Sequence, residues 1–480
     1  MWTLLIRPRI FSNIVGAILN HITKIISDYI YQLKYEDIPS DVLDITKMYI
    51  VDYFAACFAG MKVNKTFNKA VESMLYEMGG KEESSVLCND SKLPTMNAAY
   101  MNAVYAHGAD MDDGNRKAMG HVAAHVISTA LAMGEKFHIS GKDFIVAVNV
   151  GYEVYNRLAA AVQPGLVHRG FHSTGTAGAL AAGAVAAKIM GFNSEQIYDT
   201  LALCAIQASG LILIAESGQS CKPINPANAS RTGILSAELI SRGVKSSQYP
   251  LESKKGWFHA MSDLVDESAV LDTLGKVFTI TESYLKPYPS CRHTHCGIEC
   301  ALKIRKRWLE NHNELCSSDV SAIRVYIYRN AIQIAGQIIV PKSDDDSKFS
   351  IHYSLATALL KGHFSLEDLS VQNMADDFKS MLDRIQLVED ASMENTAEGI
   401  RGCRVAVDFT DGTKMEETVL IPKGDAANPF TWADIENKLR DCSTGIISDE
   451  QRKHLVAYVQ KIEQIPVMNS INTFLGETNV

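Results

Sequence analysis

Four short segments of the chain gather ionisable side chains among small ones, each just ahead of a predicted helix. The first is HGADMDDGNRKAMGH (107–121), where Asp110, Asp112 and Asp113 precede His121. A histidine at a helix start is kept neutral by the macrodipole, which suits a general base near pH 7. Asp110 or Asp113 could orient its ring or build a capping and turn network. The plain structural alternative is that DMDDGN is a solvated turn. The second is PGLVHRGFHSTGTAG (164–178), where His172, Ser173 and Thr174 stand before a small-residue helix and His168 and Arg169 add charge. Free amides at such a start attract anions, although Ser and Thr there also serve as ordinary caps. The third, ESGQSCKPINPANASR (216–231), puts Lys222 before Pro223, on extended backbone, with a helix expected from about Pro226. The fourth, YLKPYPSCRHTHCGIEC (284–300), fixes Lys286 beside prolines 287 and 289 and follows it with Arg292, His293 and His295. Most isolated lysines are solvated surface, so no segment decides alone. Four loops, each with a cation or base at a helix start, point together to one anion-binding cleft.

Cys291, Cys296 and Cys300 raise the question of a metal. They form no paired C-x-x-C, no second cluster completes a ligand set, and Cys296 and Cys300 share one helix face. Core packing is the simpler reading, and no metal is assigned.

The elements that must position these loops are mostly helical. Ser40 should cap a helix with apolar positions Val42, Ile45, Met48, Val51 and Phe54, ended by Gly60. Further helices are predicted over 95–106, 122–135, 142–162, 174–190, 194–208 and 226–242. The Ala/Gly-rich faces, GTAGALAAGAVAAKIMG above all, predict closely packed helices. After about residue 276 the pattern changes. VSAIRVYIYR (320–329) alternates as a strand, and CRVAVDFTDGTKMEETVLI (403–421) reads as a hairpin around Asp411-Gly412. The expected fold is therefore mainly α, with an all-helical domain over 1–275 plus 426–480 and a smaller α+β lid domain over 276–425. The helical C-terminal stretch should pack back on the large domain.

A length of 480 residues suits two domains, and 47% hydrophobic with 21% charged residues is a globular composition. The net charge of −9 shows no basic footprint, which disfavours a nucleic-acid partner. The apolar N-terminus holds Arg7 and Arg9. Its uncharged run from Ile10 to Ile22 is too short to span a bilayer and lacks a small-residue cleavage site, so an amphipathic helix and no membrane partner are expected. Ten cysteines in this length suggest a reducing cytoplasm.

The segments DMDDG with Gly120-His121, GFHSTGTAGALAAGAVAAKIMG, CKPINPANASRTG and LKPYPSCRHTH, in this order, resemble the signatures of the 2-methylcitrate dehydratase (MmgE/PrpD) family, which includes cis-aconitate decarboxylase and iminodisuccinate epimerase. The resemblance spans most of the chain. It implies a homodimer with a helical domain, an α+β lid, and a cleft between them that needs no metal or organic cofactor. It also implies that Asp110, His121, His172, Lys222 and Lys286 line that cleft, with His121 as acid/base and His172 and the lysines binding or stabilising carboxylates. Asp110 and His172 join His121 as catalytic candidates, and Arg292 and His295 join the lysines as substrate-binding candidates. The chemistry would move a proton or carboxylate beside a substrate carboxylate, where cations stabilise developing charge. Departures bear on the reaction. Gly114 stands where the decarboxylase branch has a hydroxyl residue, and Ile334 falls nearest to that branch's lid tyrosine, with Tyr326 and Tyr328 close by. Val122 follows His121 in place of proline, and Asn225 replaces a histidine often found three residues past the cleft lysine. A 2-methylcitrate dehydratase-like elimination of water from a small polycarboxylate is the leading expectation. A decarboxylase or an epimerase is the alternative, and a carboxylate-binding protein without catalysis is the contrasting class.

Overall fold

The computed structural model describes residues 21–213, 220–372, 374–395 and 400–476. The amphipathic segment expected at the N-terminus falls mostly on residues 1–20, outside that set. Its continuation is helix α1 (Ile22–Gln32). The chain is 58% helical and 10% strand, mainly α with a minor sheet.

Helices α2 (Ser40–Val63), α3 (Lys65–Met78), α4 (Thr95–His107), α5 (Ala123–Phe137), α6 (Gly141–Ala161), α7 (Ser173–Ile189), α8 (Ser194–Gln207) and α9 (Ile224–Ser241) surround the larger of two hydrophobic cores. Their small residues explain the packing. A Cβ on Gly233 of α9 would lie 2.4 Å from the Gly183 nitrogen of α7, so these helices meet backbone to backbone. Gly60 does not end α2, contrary to the sequence expectation. It lies inside the helix, where a Cβ would come 1.9 Å from the Tyr105 carbonyl oxygen of α4. Nor does Ser40 cap α2, since Pro39 holds that position without a side-chain bond.

A two-residue ladder, β1 (Gly114–Asn115) with β2 (Ser283–Tyr284), ties the acidic loop to the segment that carries Lys286. Beyond it stands the second core. Helices α10 (His295–Trp308), α11 (Arg329–Ala335) and α12 (Ile351–Lys361) accompany a sheet of β3 (Val320–Ile327), β4 (Ile385–Glu389), β5 (Cys403–Phe409) and β6 (Lys414–Val419). The strand order is β6-β5-β3-β4, antiparallel except for β3 with β4, which is parallel with Ile323 opposite Ile385. Ile323, Val325 and Ile327 face this core, as the alternation predicted, and Val320 joins them across a register shift before Ala322. The hairpin turns at Gly412 with φ 90°.

Helices α13 (Trp432–Ser443) and α14 (Asp449–Gln460) return to the large core through Ile435, Leu439, Leu455 and Val459. Buried Lys438 anchors this return, pairing with Asp52 of α2 at 2.5 Å and donating to the Met111 carbonyl at 2.7 Å. Burial pushes the Asp52 carboxyl up to about 6 against the pull of Lys438. The acidic loop thus rests on a C-terminal helix.

Candidate active site

A cavity of about 700 Å³ lies where the two cores meet, and Asp110, His121, His172, Lys222, Lys286 and Arg292 all line it. Four segments far apart in sequence therefore converge.

Asp110 stands at the centre, on backbone in the left-handed region (φ 55°), a conformation that Asp tolerates better than most residues and that is common at functional sites. Its carboxylate pairs closely with Lys222, and with Lys286 at 3.2 Å; Lys286 also donates to the Asp110 carbonyl at 2.7 Å. Burial alone would raise the Asp110 carboxyl. Lys222 and Lys286, aided by His121 and His107, hold it well below the usual range. Asp113 behaves oppositely. It accepts from the amides of Val122 and Ala123 at the start of α5 and from the Tyr152 hydroxyl, and burial pushes it up to about 7. Of the two roles weighed for these carboxylates, Asp113 takes the cap and Asp110 faces the cavity.

The two cleft histidines show opposite faces. His121 Nδ1 donates to the Asp113 carbonyl at 2.7 Å, which leaves the Nε2 lone pair 3.7 Å from Asp110. Burial, with Lys286 and Lys222 adding to it and Asp112 opposing, lowers His121 to about 3, so its neutral form prevails at pH 7. His172 is the N-cap residue of α7, and its Nδ1 accepts from the Asn225 amide at 2.9 Å. The same amide group donates to the Leu211 carbonyl, which fixes its orientation. His172 therefore carries its proton on Nε2. One ring offers a base and the other a donor.

Gly120 permits this arrangement. A Cβ there would lie 2.2 Å from the Tyr155 hydroxyl and 2.3 Å from Ser173 Oγ. Ser173 and Thr174 do not form the anion site expected at the start of α7. Ser173 donates to the Met119 carbonyl and Thr174 accepts from the His121 amide, so their hydroxyls hold the His121 loop. The Lys222 segment also differs from expectation, because Lys222 sits in a turn and α9 starts at Ile224, with Pro223 as its N-cap residue. Residues 216–219 of that island lie outside the described residues.

The fourth island divides. Arg292 lines the cavity with its guanidinium 4.7 Å from the Tyr284 ring. His295 does not line it; as the first residue of α10 it turns inward, its Nε2 3.2 Å from the Ser290 carbonyl and its Nδ1 accepting from Arg292. His293 faces the cavity instead, bonded to the Tyr328 hydroxyl. Burial, reinforced by Arg401, Arg116, Lys286 and Arg292, lowers His293 to about 3. Arg169 points elsewhere, to Asp263 and the carbonyls of His259 and Ala260, and His168 does not line the cavity. Cys291 lines the cavity, whereas Cys296 and Cys300 face the Arg401 and Cys403 carbonyls.

Sequence reasoning passed over Arg116, Arg401, Tyr284 and His107. Buried His107 bonds Asp112 at 2.7 Å and sets its ring edge-on to His121 at 4.8 Å. Its place at the head of the first island was the available signal. Gly114 has a steric meaning, since a Cβ there would come 2.4 Å from the Tyr284 hydroxyl. That hydroxyl occupies the space of a side chain at 114. Ile334 and Tyr328 both line the cavity, while Tyr326 lies against Arg404.

His107, Asp110, Asp112 and His121 could be considered as metal ligands, their donor atoms lying within 4.8 Å of one another. Their chemistry fits a dication poorly. Two ammonium groups already hold Asp110, His107 holds Asp112, and the Asp113 carbonyl holds His121 Nδ1.

The chain matches the MmgE/PrpD N-terminal domain over residues 24–268 and the MmgE/PrpD C-terminal domain over residues 288–464. It belongs to the MmgE/PrpD family. Among its relatives in this family is a cis-aconitate decarboxylase of Aspergillus terreus, 27% identical over 480 residues, covering 94% of this chain and 96% of that protein. The cis-aconitate decarboxylases of Homo sapiens and Mus musculus are 25% and 23% identical, over 95% and 93% of this chain and 95% and 92% of their own. At the level of the MmgE/PrpD family the chain is an enzyme, a lyase. No helix among the described residues is long and apolar enough to cross a membrane.

Proposed function

We propose that this MmgE/PrpD enzyme eliminates water from a small hydroxylated polycarboxylate, with His121 as the base. The observation that carries this reading is the bond from His121 Nδ1 to the Asp113 carbonyl, which leaves an unprotonated Nε2 3.7 Å from Asp110, the carboxylate that holds two ammonium groups. Lys222 and Lys286 would grip a substrate carboxylate as His121 removes the proton from the adjacent carbon. The charge then grows on that carboxylate, where fixed cations stabilise it most. The C–O bond breaks, C=C forms, and the departing hydroxyl, hydrogen-bonded by His172 Nε2–H, takes a proton from a lysine ammonium and leaves as water. Asp110 would hold the two ammonium groups apart until substrate arrives.

The second reading is decarboxylation of the cis-aconitate type. It is favoured by the names of the relatives and disfavoured by Gly114, Ile334 and Asn225 at the departing positions. It needs His121 protonated so that the new carbanion can be quenched. Purified protein offered 2-methylcitrate, citrate, cis-aconitate and iminodisuccinate separates the possibilities. Alkene absorbance without carbon dioxide supports elimination, carbon dioxide supports decarboxylation, and deuterium uptake without mass loss marks an epimerase. Ligand-induced thermal stabilisation with no turnover and no exchange would leave a binding protein and sink the enzymatic reading. A homodimer working in the cytoplasm belongs to the same proposal, and sedimentation equilibrium tests the dimer.

A further inference from the structure

The lysine–histidine cluster accounts for part of the cavity lining. Arg116, Arg292 and Arg401 line the same cavity, and the chemistry above does not use them. Their protein counter-charges are sparse. Asp425 serves both Arg116, at 2.5 Å, and Arg292, at 3.5 Å, and Glu394 stands 3.8 Å from Arg401. These guanidiniums are not surface groups, since the Arg116 and Arg292 side chains are only 14% and 10% exposed. Nε and Nη1 of Arg116 and Nε of Arg292 are buried without a hydrogen-bond partner in the protein. Leaving a buried charged donor unmade is costly, and arginine forks are suited to planar, two-oxygen anions.

Two side chains join this group to the reacting groups. The Tyr284 ring lies against Arg292, and its hydroxyl fills the space above Gly114. His293, on the Arg292 segment, lines the same cavity. A ligand held by Lys222 and Lys286 thus has a second polar, cationic surface within one continuous cavity.

We propose that Arg116, Arg292 and Arg401 form a second anion subsite, which takes a carboxylate remote from the reacting carbon. This deepens the proposed function and rests on it. The lysines would hold the carboxylate that gathers charge, and the arginines would hold one that stays unchanged through the reaction. The substrate would then carry at least two separated carboxylates, and the arginines would select for it over a hydroxy acid with one.

Calorimetry with propane-1,2,3-tricarboxylate, an unreactive probe, tests this on the full chain. Arg116→Gln and Arg401→Gln should each weaken binding roughly 10- to 100-fold, the loss expected for hydrogen bonds to a charged group. Arg401→Lys, which keeps the charge without the fork, should recover only part of that affinity. Should Arg116→Gln fail to fold, the less buried Arg401 decides the matter. Wild-type affinity in Arg401→Gln, while Lys222→Ala still loses binding, would overturn the subsite and leave the lysine reading standing. A wild-type protein that binds no polycarboxylate would overturn both.

Discussion

On the floor of the cavity, supplied by the large core, each reactive group is held by a buried partner of its own. His121 leans on the Asp113 carbonyl, His172 on Asn225, and Asp110 on two lysines, while Lys438 supports the loop from beneath. On the roof, supplied largely by the segments around the small core, Arg292 and the loop arginine Arg116 share one carboxylate and keep donors unmade. A group whose proton must sit on one chosen nitrogen needs a fixed partner. A group that only has to meet a ligand keeps its donors in reserve. On the function proposed above, the floor carries the chemistry and the roof the grip.

The strongest attempt to break that contrast is His121→Ala. Losing a general base should lower kcat by about 10²- to 10⁴-fold, with the fold retained at a modest cost in stability for the lost bond to the Asp113 carbonyl, as steady-state kinetics and calorimetry would show. Near-wild-type turnover would end the assignment. Next comes Lys438→Met, which strands Asp52 as a buried charge. Denaturant unfolding should register a loss of about 3–5 kcal/mol, as for other buried pairs broken on one side. An unchanged midpoint would mean that the floor does not depend on this support.

Acid should expose both regions together. His121 and His293 sit at about 3, against an ordinary 6.5. Above pH 6.5 neither folded nor unfolded chain protonates them. Between about 6.5 and 3 the unfolded chain binds protons that the fold refuses, so stability falls as pH falls, by about 1.4 kcal/mol per pH unit for each such group. Asp113 and Asp52, pushed up to about 7 and about 6, oppose this over the same range. His125, lowered by burial to about 3, and His172 and His295, held by burial well below the ordinary value, add to it. Unfolding temperatures measured from pH 7.5 to 5 should therefore decline, and a flat profile would contradict the burial of these rings. The smallest effects should separate floor from roof most sharply. Asn225→Ala removes two neutral hydrogen bonds, to His172 and to the Leu211 carbonyl, and Tyr328→Phe removes one, each bond worth roughly 3- to 10-fold. The first should appear in kcat, through the His172 tautomer, and the second in KM.

Much of this was legible in the chain. The helical body, the Asp411-Gly412 hairpin and the convergence of His121, His172, Lys222 and Lys286 follow from periodicity, turn residues and the family signatures. What escaped has physical reasons. Gly60 reads as a helix stop, because nothing local reveals that another helix crosses there. Strand β4 hides in a short run whose partner is β3, more than fifty residues earlier. His295 and His293 are equivalent in spacing, and only the start of α10 decides which faces inward. Arg116 sits within the first island, but an arginine in a polar loop looks solvated until the fold buries it. Asp110 and Asp113 could not be told apart because their roles depend on Lys222 and Tyr152, both remote in sequence.

The small core is strung between Leu285 and Phe430, and the large core resumes only in α13 and α14. During synthesis the loop bearing Asp110 and His121 must therefore wait for a helix 327 residues further along before Lys438 can reach Met111. A chain clipped between β6 and α13 would still hold every reactive side chain named above, yet lack the beam beneath them. The support of the acidic loop thus depends on a segment made long after the loop itself.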